Sequence, residues 1–282
     1  MFLLSSCEKI VDNVNIPPQQ PKIVVTCFIS PEDTLISANV SLSAPIWSTT
    51  NVDLNTPVTN ATVIISGAST QAQLTYNYQK SCYLIYTSVF PIQPDGAYKL
   101  TVSLPGYTSV EATCKVPAVK NQSLEFLSFD SLSGNENSVE YRFKIDFTDF
   151  SGVGNYYRVG GTLISLNDNG MGTKDTMYNT LFNKDNLEFI TDKDNDGQKI
   201  MRELNYSKNS YDMVGNGNEK LLRLKIILLT TDENYYKFHK TLSGYTGDDI
   251  FSEPTIIYSN VQNGLGVFAA YRKYSLVYTF PN

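Results

Sequence analysis

The sequence has little of what most catalytic and nucleic-acid-binding proteins use. Among 282 residues there is one His, one Trp and four Cys, and charged residues make up only 18%. A single His, His239, excludes most His-built metal sites and makes any His-dependent triad rest on that residue. No Cys-x-x-Cys pair occurs, which leaves zinc and dithiol redox chemistry without support. There is no long basic run, and 22 Lys and Arg face 28 Asp and Glu for a net charge of −6. Such a chain is a poor candidate for nucleic acid or an anionic membrane surface. No later apolar run approaches the ~20 residues of a membrane span. A Gly-x-Ser-x-Gly elbow and a Gly-rich phosphate loop are both missing. No Asp or Glu stands in a recognisable catalytic setting, since most acidic residues fall in turns. What is abundant is apolar and aromatic: 41% hydrophobic residues, with 19 Tyr and 14 Phe. That balance supports packed cores, and the length suits two domains of ordinary size. A Tyr-rich β-protein that binds something is expected, rather than an enzyme.

The N-terminus reads Leu4-Ser5-Ser6-Cys7, the pattern of a bacterial lipobox in which Cys7 receives the lipid. The apolar stretch before it is shorter than a full signal peptide, so residues 1–7 are read as a remnant of one. The competing reading, a chance apolar start with a buried Cys, is less economical because the Cys sits where a signal peptide ends. Lipid on Cys7 would anchor the protein without a transmembrane helix. Residues 8–21, with Pro17-Pro18 and Pro21, read as an extended tether. Export would permit a disulfide among Cys27, Cys82 and Cys114. Cys27 alternates with Ile23, Val25 and Ile29, and Cys114 with Val110, Ala112 and Val116, so both point inward. Cys27–Cys114 is one candidate bridge and Cys82–Cys114 another. Three reduced, buried thiols are an equal alternative.

Residues 22–118 show short period-2 runs separated by turn chemistry: Ile23–Ile29, Ile36–Leu42, Ala61–Ile65, Leu84–Tyr86, Tyr98–Leu104 and Val110–Val116. This spacing indicates an antiparallel sandwich of immunoglobulin type. Pro57–Val63 followed by Asp95-Gly96-Ala97-Tyr98 also resembles transthyretin-like modules. Lone Trp47 falls in a loop, where covering the sandwich end is preferred to stacking a sugar. Pro117 ends the last strand.

Residues 122–282 are expected to form an antiparallel barrel-like or curved sheet. Tyr141, Phe143, Ile145 and Phe147 alternate, as do Leu222, Leu224, Ile226 and Leu228, and Tyr274, Leu276, Tyr278 and Phe280. One helix is expected at 232–243, with Thr230 and Glu233 as a capping box and Gly244 as the stop. His239 falls beside its apolar face, where packing is the default. Asp192-Lys193-Asp194-Asn195-Asp196-Gly197-Gln198, with Glu203 at position 12, follows the calcium-loop pattern. Asp192, Asp194, Asp196, the Gln198 carbonyl and Glu203 would supply the oxygens. Against it stand Lys199 at a usually aliphatic position and the want of flanking helices; a hairpin tip is the preferred reading. Calcium is thus the one cofactor the sequence suggests.

Several stretches taken in order resemble the Bacteroidota outer-membrane lipoproteins of domain of unknown function 4249. These are Cys7-Glu8-Lys9, Pro21–Val25, Val40–Pro45, Asp149-Phe150-Ser151-Gly152, Asn155-Tyr156-Tyr157-Arg158, Phe251–Pro254 and, most specific, Ile257–Phe268. The resemblance covers nearly the whole chain. It implies a lipid-anchored outer-membrane protein, often encoded near a TonB-dependent transporter that it would serve in nutrient uptake; the acidic residues just after Cys7 resemble in part the signals that send such lipoproteins to the cell surface. A stand-alone glycan- or peptide-binding lipoprotein is the alternative, and a hydrolase the less favoured one. The family carries over no catalytic residues. The segment Ile257–Phe268 is expected to close the second domain against its helix, and the pair Tyr156-Tyr157 to pack on that helix.

Overall fold

The structure, a computed structural model, describes residues 20–44, 56–118, 123–133, 139–152, 154–168, 174–183, 188–208, 219–245 and 256–281. Cys7, Trp47 and the Phe251–Pro254 motif lie outside the described residues. Strand dominates, as expected, and the described residues include one α-helix.

The first unit contains β1 (Ile23–Ile29), β2 (Leu35–Leu42), β3 (Thr62–Ser66), β4 (Gln71–Asn77), β5 (Cys82–Tyr86), β6 (Ala97–Ser103) and β7 (Val110–Lys115). Alternation sets the inward face: Ile23, Val25, Cys27 and Ile29 are buried, and their neighbours are less so. Strand β4 turns the corner between the two layers of the sandwich. Its Gln71–Leu74 half pairs with β3 and its Thr75–Asn77 half with β5. The six-strand expectation misses β4 because only Leu74 in it is buried, so its sequence shows no apolar face to read.

The second unit contains β8 (Glu125–Ser133), β9 (Val139–Thr148), β10 (Tyr156–Asp168), β11 (Lys174–Asn183), β12 (Phe189–Thr191), β13 (Lys199–Lys208), β14 (Glu219–Thr231), α1 (Glu233–Ser243) and β15 (Leu265–Thr279). The strands run in the order β15-β14-β10-β11-β13-β9-β8, with β12 beside β10. This sheet curves but does not close. A core of Phe143, Ile145, Phe147, Tyr157, Leu163, Leu204, Leu224 and Ile226 fills its concave side.

The two units form one continuous sheet through β15. Its first part pairs in parallel with β1, from Val24 opposite Leu265 to Ile29 opposite Ala270. From Tyr271 onward it pairs with β14 instead. Phe268, Ala270 and Val261 are buried in the first unit's core, and Gln262 bridges to Glu111 on β7. The end of the chain thus returns across the expected division near 118 to pair with β1 and join the first sandwich. Ile257–Phe268 closes the first unit as well as touching the helix, where Tyr258 OH donates to Asn234 Oδ1 at 2.7 Å.

Charged groups reinforce the joint. Glu32, after β1, receives Arg272 Nε at 2.8 Å and the Lys273 backbone N–H at 3.0 Å. Asp33 takes Lys273 Nζ at 3.0 Å and the hydroxyl of Tyr271. Burial pushes the Glu32 carboxyl up, but the Lys273 N–H, Arg272 and Ser30 outweigh it and hold it below the usual range.

The helix packs on the outer face of this junction, with Tyr235 against Val267, Ala269 and Phe28. Its N-cap is Asp232, which accepts from the Tyr235 N–H at 2.8 Å. Thr230 is still in β14, so the expected Thr230–Glu233 capping box does not form; the strand runs on to Thr231 and leaves Asp232 as the first residue free to cap.

Candidate functional site

The Asp-rich segment forms a turn between β12 and β13. The Asn195 N–H donates to Asp192 O at 2.8 Å and the Gln198 N–H to Asn195 O at 2.9 Å. Gly197 has φ +67°, the left-handed conformation that glycine adopts without penalty. The turn docks on the loop that follows β9. The Gly197 N–H donates to Asp149 Oδ2 at 2.9 Å, the Gly152 N–H to Asp196 Oδ1 at 2.7 Å, and the Asn155 N–H to Asp192 Oδ2 at 3.1 Å. The Asn155 amide holds the carbonyls of Phe150 and Gly152 at 2.7 and 2.6 Å. Tyr157 OH donates to Asp149 Oδ1 at 2.5 Å, and burial plus that carboxylate push the phenol's pKa upward.

This docking brings carboxylate oxygens of Asp149, Asp192 and Asp196 within 4.8 Å of one another, the first two buried and the third exposed. The set differs from the calcium loop read from spacing. Asp192 and Asp196 are in it; Asp194 is not. The Gln198 carbonyl accepts the Asp149 N–H at 2.9 Å. Glu203 lies in β13 opposite Lys144, 3.9 Å from Arg142 Nε. The physical reason is that β13 begins at Lys199, and its ladder with β9 holds residues 199–208 extended. A calcium loop must curl back there to bring its twelfth residue to the ion. Asp149 was missed because Asp149-Phe150-Ser151-Gly152 reads only as a turn, and its approach to Asp192 is a tertiary event. Three clustered carboxylates are hard oxygen ligands of the kind a divalent cation takes. Several of their lone pairs already accept N–H or O–H bonds, so backbone carbonyls or water would have to complete the six to eight oxygens calcium requires.

Ser151, Gly154 and Asn155 also wall a cleft of about 570 Å³ between the two units, with Tyr156, Asp232 and Lys115 among the facing residues. Asp232 ties three elements together there. It caps α1, accepts the Ala270 N–H of β15 at 3.1 Å and takes the backbone N–H of Lys115 at the end of β7. Burial pushes its carboxyl up to about 7 against the pull of these donors. Tyr156 packs on the helix as expected, with its ring 5.0 Å from that of Tyr236. Tyr157 does not: strand alternation turns it into the core, 5.1 Å from Phe147.

His239 is a packing residue in the structure. Its ring lies 4.3 Å from Tyr235 and stacks at 5.0 Å on Phe28. Burial and the nearby Arg158 guanidinium lower its pKa to about 4, so the imidazole is neutral at pH 7.

Cys27, Cys82 and Cys114 are all buried free thiols. Neither candidate bridge, Cys27–Cys114 or Cys82–Cys114, is formed. Cys27 and Cys114 do share one core, as their alternation implied. Burial pushes the Cys27 thiol up to about 12 and raises that of Cys114 as well, which makes both poor nucleophiles.

Among the described residues no helix is long and apolar enough to cross a membrane. No curated protein matches the chain. The family described as Domain of unknown function (DUF4249) matches residues 11–276. With that match spanning nearly the whole length, the chain belongs to the domain of unknown function 4249 family.

Proposed function

We propose that the protein is an outer-membrane lipoprotein, anchored through Cys7 at the cell surface, that partners a TonB-dependent transporter and helps capture a nutrient. The observation that carries this reading is Leu4-Ser5-Ser6-Cys7 followed by a Pro-rich tether. Two further features support it. The units are joined through β15 and the Glu32–Arg272 ion pair, so an anchor ahead of β1 would hold both units together. The lone His is packed among aromatic rings, which favours binding over His-dependent catalysis. The protein purified from native outer membranes is expected to bring down a transporter. Recovery of the lipoprotein alone, under conditions that keep other outer-membrane complexes intact, overturns the proposal. The second reading is a stand-alone glycan- or peptide-binding lipoprotein, favoured by the cleft that Phe126, Phe129, Tyr278 and Phe280 wall.

A further inference from the structure

The concave core of the second unit is sealed at one end and open at the other. Phe143, Phe147 and Tyr157 are fully buried. Towards the other end Tyr141, Tyr206, Phe126, Phe129, Tyr278 and Phe280 are only partly covered. There β8 and the end of β15 face each other without pairing and meet through side chains: Phe126 lies 4.2 Å from Tyr278, and Phe129 5.4 Å from Phe280. Along this seam runs a cleft of about 660 Å³, walled by these four rings, with Leu127 at its rim and Glu219 inside it. Its size is that of a small-molecule site.

Glu219 is there because the sheet is irregular. Alternation from Leu224, Ile226 and Leu228 would turn odd-numbered residues of β14 away from the core. The register with β10 slips at this point, so that Ile164 faces Arg223 but Ser165 faces Leu221. Leu222 is the extra residue, and beyond it Leu221 packs on the core instead. The same slip turns Glu219 inward, leaving its side chain 8% exposed. Bulges re-aim side chains in this way beside sites. Three groups hold the carboxylate: Ser165 Oγ donates to Oε1 at 2.6 Å, Tyr141 OH to Oε2 at 3.3 Å, and Lys208 Nζ lies 3.4 Å from Oε2. Two carboxylate oxygens have about four lone-pair positions, so one remains for a donor in the cleft.

The chemistry narrows the ligand. Lys208 and Glu219 form a nearly buried pair with no net charge. A cation in the cleft would face Lys208 immediately behind Glu219 and the exposed Lys220 in its wall, and an anion set against the aromatic floor would face Glu219 itself. A wholly apolar ligand would seal the pair from water without offering it a hydrogen bond, which is costly. A neutral ring with an apolar face and a hydroxylated edge meets both demands: its C–H face stacks on Phe and Tyr rings, and one hydroxyl donates to the remaining position on Glu219. We propose that this cleft is a carbohydrate-binding site, in which the aromatic walls stack a neutral sugar ring and Glu219 accepts one of its hydroxyls. The inference deepens the capture role proposed above by naming the ligand class.

The test is an array of neutral oligosaccharides probed with the full chain, followed by titration of the bound glycans against wild type, Glu219→Gln, Tyr278→Ala and Leu127→Arg. Neutral glycans are expected to bind, and each substitution to weaken them tenfold or more. Leu127 is 42% exposed, so Leu127→Arg obstructs the cleft without disturbing the core and decides the matter should Tyr278→Ala melt early. The proposal is overturned by a blank neutral array, by a preference for charged ligands or peptides, or by glycan binding that all three variants retain. Transporter recovery with Glu219→Gln is read separately: a partner still recovered beside a blank array sinks the sugar site and leaves the transporter role standing.

Discussion

Val25 on the first strand and Gly266 on the last approach so closely that residue 266 has no room for a side chain. A Cβ there would overlap the Val25 carbonyl oxygen and lie 2.9 Å from its carbon and 3.0 Å from its nitrogen, and the φ of Gly266 is +105°. These residues are register partners in the parallel ladder that joins the units. Gly266→Ala therefore has to strain the backbone and push the strands apart, at a combined cost of about 2–5 kcal/mol. Gly106→Ala is the control: φ is +84° but nothing lies within 4 Å, so about 1 kcal/mol is expected. Denaturant melts of the two variants separate close approach from φ strain. Equal losses would show that the ladder tolerates separation.

The acidic turn distinguishes two ligand sets. Calcium stabilisation is measured as the rise in Tm over protein held in EDTA. The geometry expects Asp149→Asn and Asp196→Asn to lose that rise and Glu203→Gln to keep it. The loop read from spacing expects Glu203→Gln to lose it. Identical melting of wild type in calcium and in EDTA removes a metal role from both sets.

His239 has a native pKa near 4, below its ordinary 6.5. Protonation is thus easier in the unfolded chain. The stability due to keeping it neutral is present above about pH 6.5 and is lost as pH falls towards 4. Asp232, raised to about 7, acts in the opposite sense, losing its contribution as pH rises from the ordinary carboxylate range through 7. His239→Gln removes the His239 contribution and leaves those of the carboxylates, so Tm should fall less between pH 6.5 and 4 than in wild type. Parallel Tm curves would mean that the ring is not buried as described.

Cys27, Cys82 and Cys114 should resist a thiol reagent in the native protein and all react once it is unfolded without reductant. Mass analysis counts the labels. Three labels on these positions agree with the free thiols; one label, with the other two sulfurs joined, restores the Cys27–Cys114 or Cys82–Cys114 bridge. Burial is the cause of protection: it shields all three sulfurs from the reagent, and the desolvated Cys27 and Cys114 thiols also resist ionisation to the reactive thiolate.

Local pattern determined much of this protein. Alternation in Ile23–Ile29 and Tyr141–Phe147 marks strands because the pleat sends successive side chains to opposite faces, whatever they pair with. The helix at 233–243 is legible for the same kind of reason, from apolar residues at helical spacing and a glycine behind them. The long Ile257–Phe268 motif was legible as a family mark but not as the piece that completes the first sandwich. That required knowing which edge β15 would find, and strand partners far apart in sequence leave no periodic trace. The features nearest to function were decided the same way. Asp149 joins Asp192 and Asp196 only because two loops dock, and Glu219 points inward only because β10 and β14 slip by one residue at Leu222. A spacing rule places residues along one chain, whereas register and docking are settled by packing between strands, and it is packing that set the carboxylates of this protein in their places.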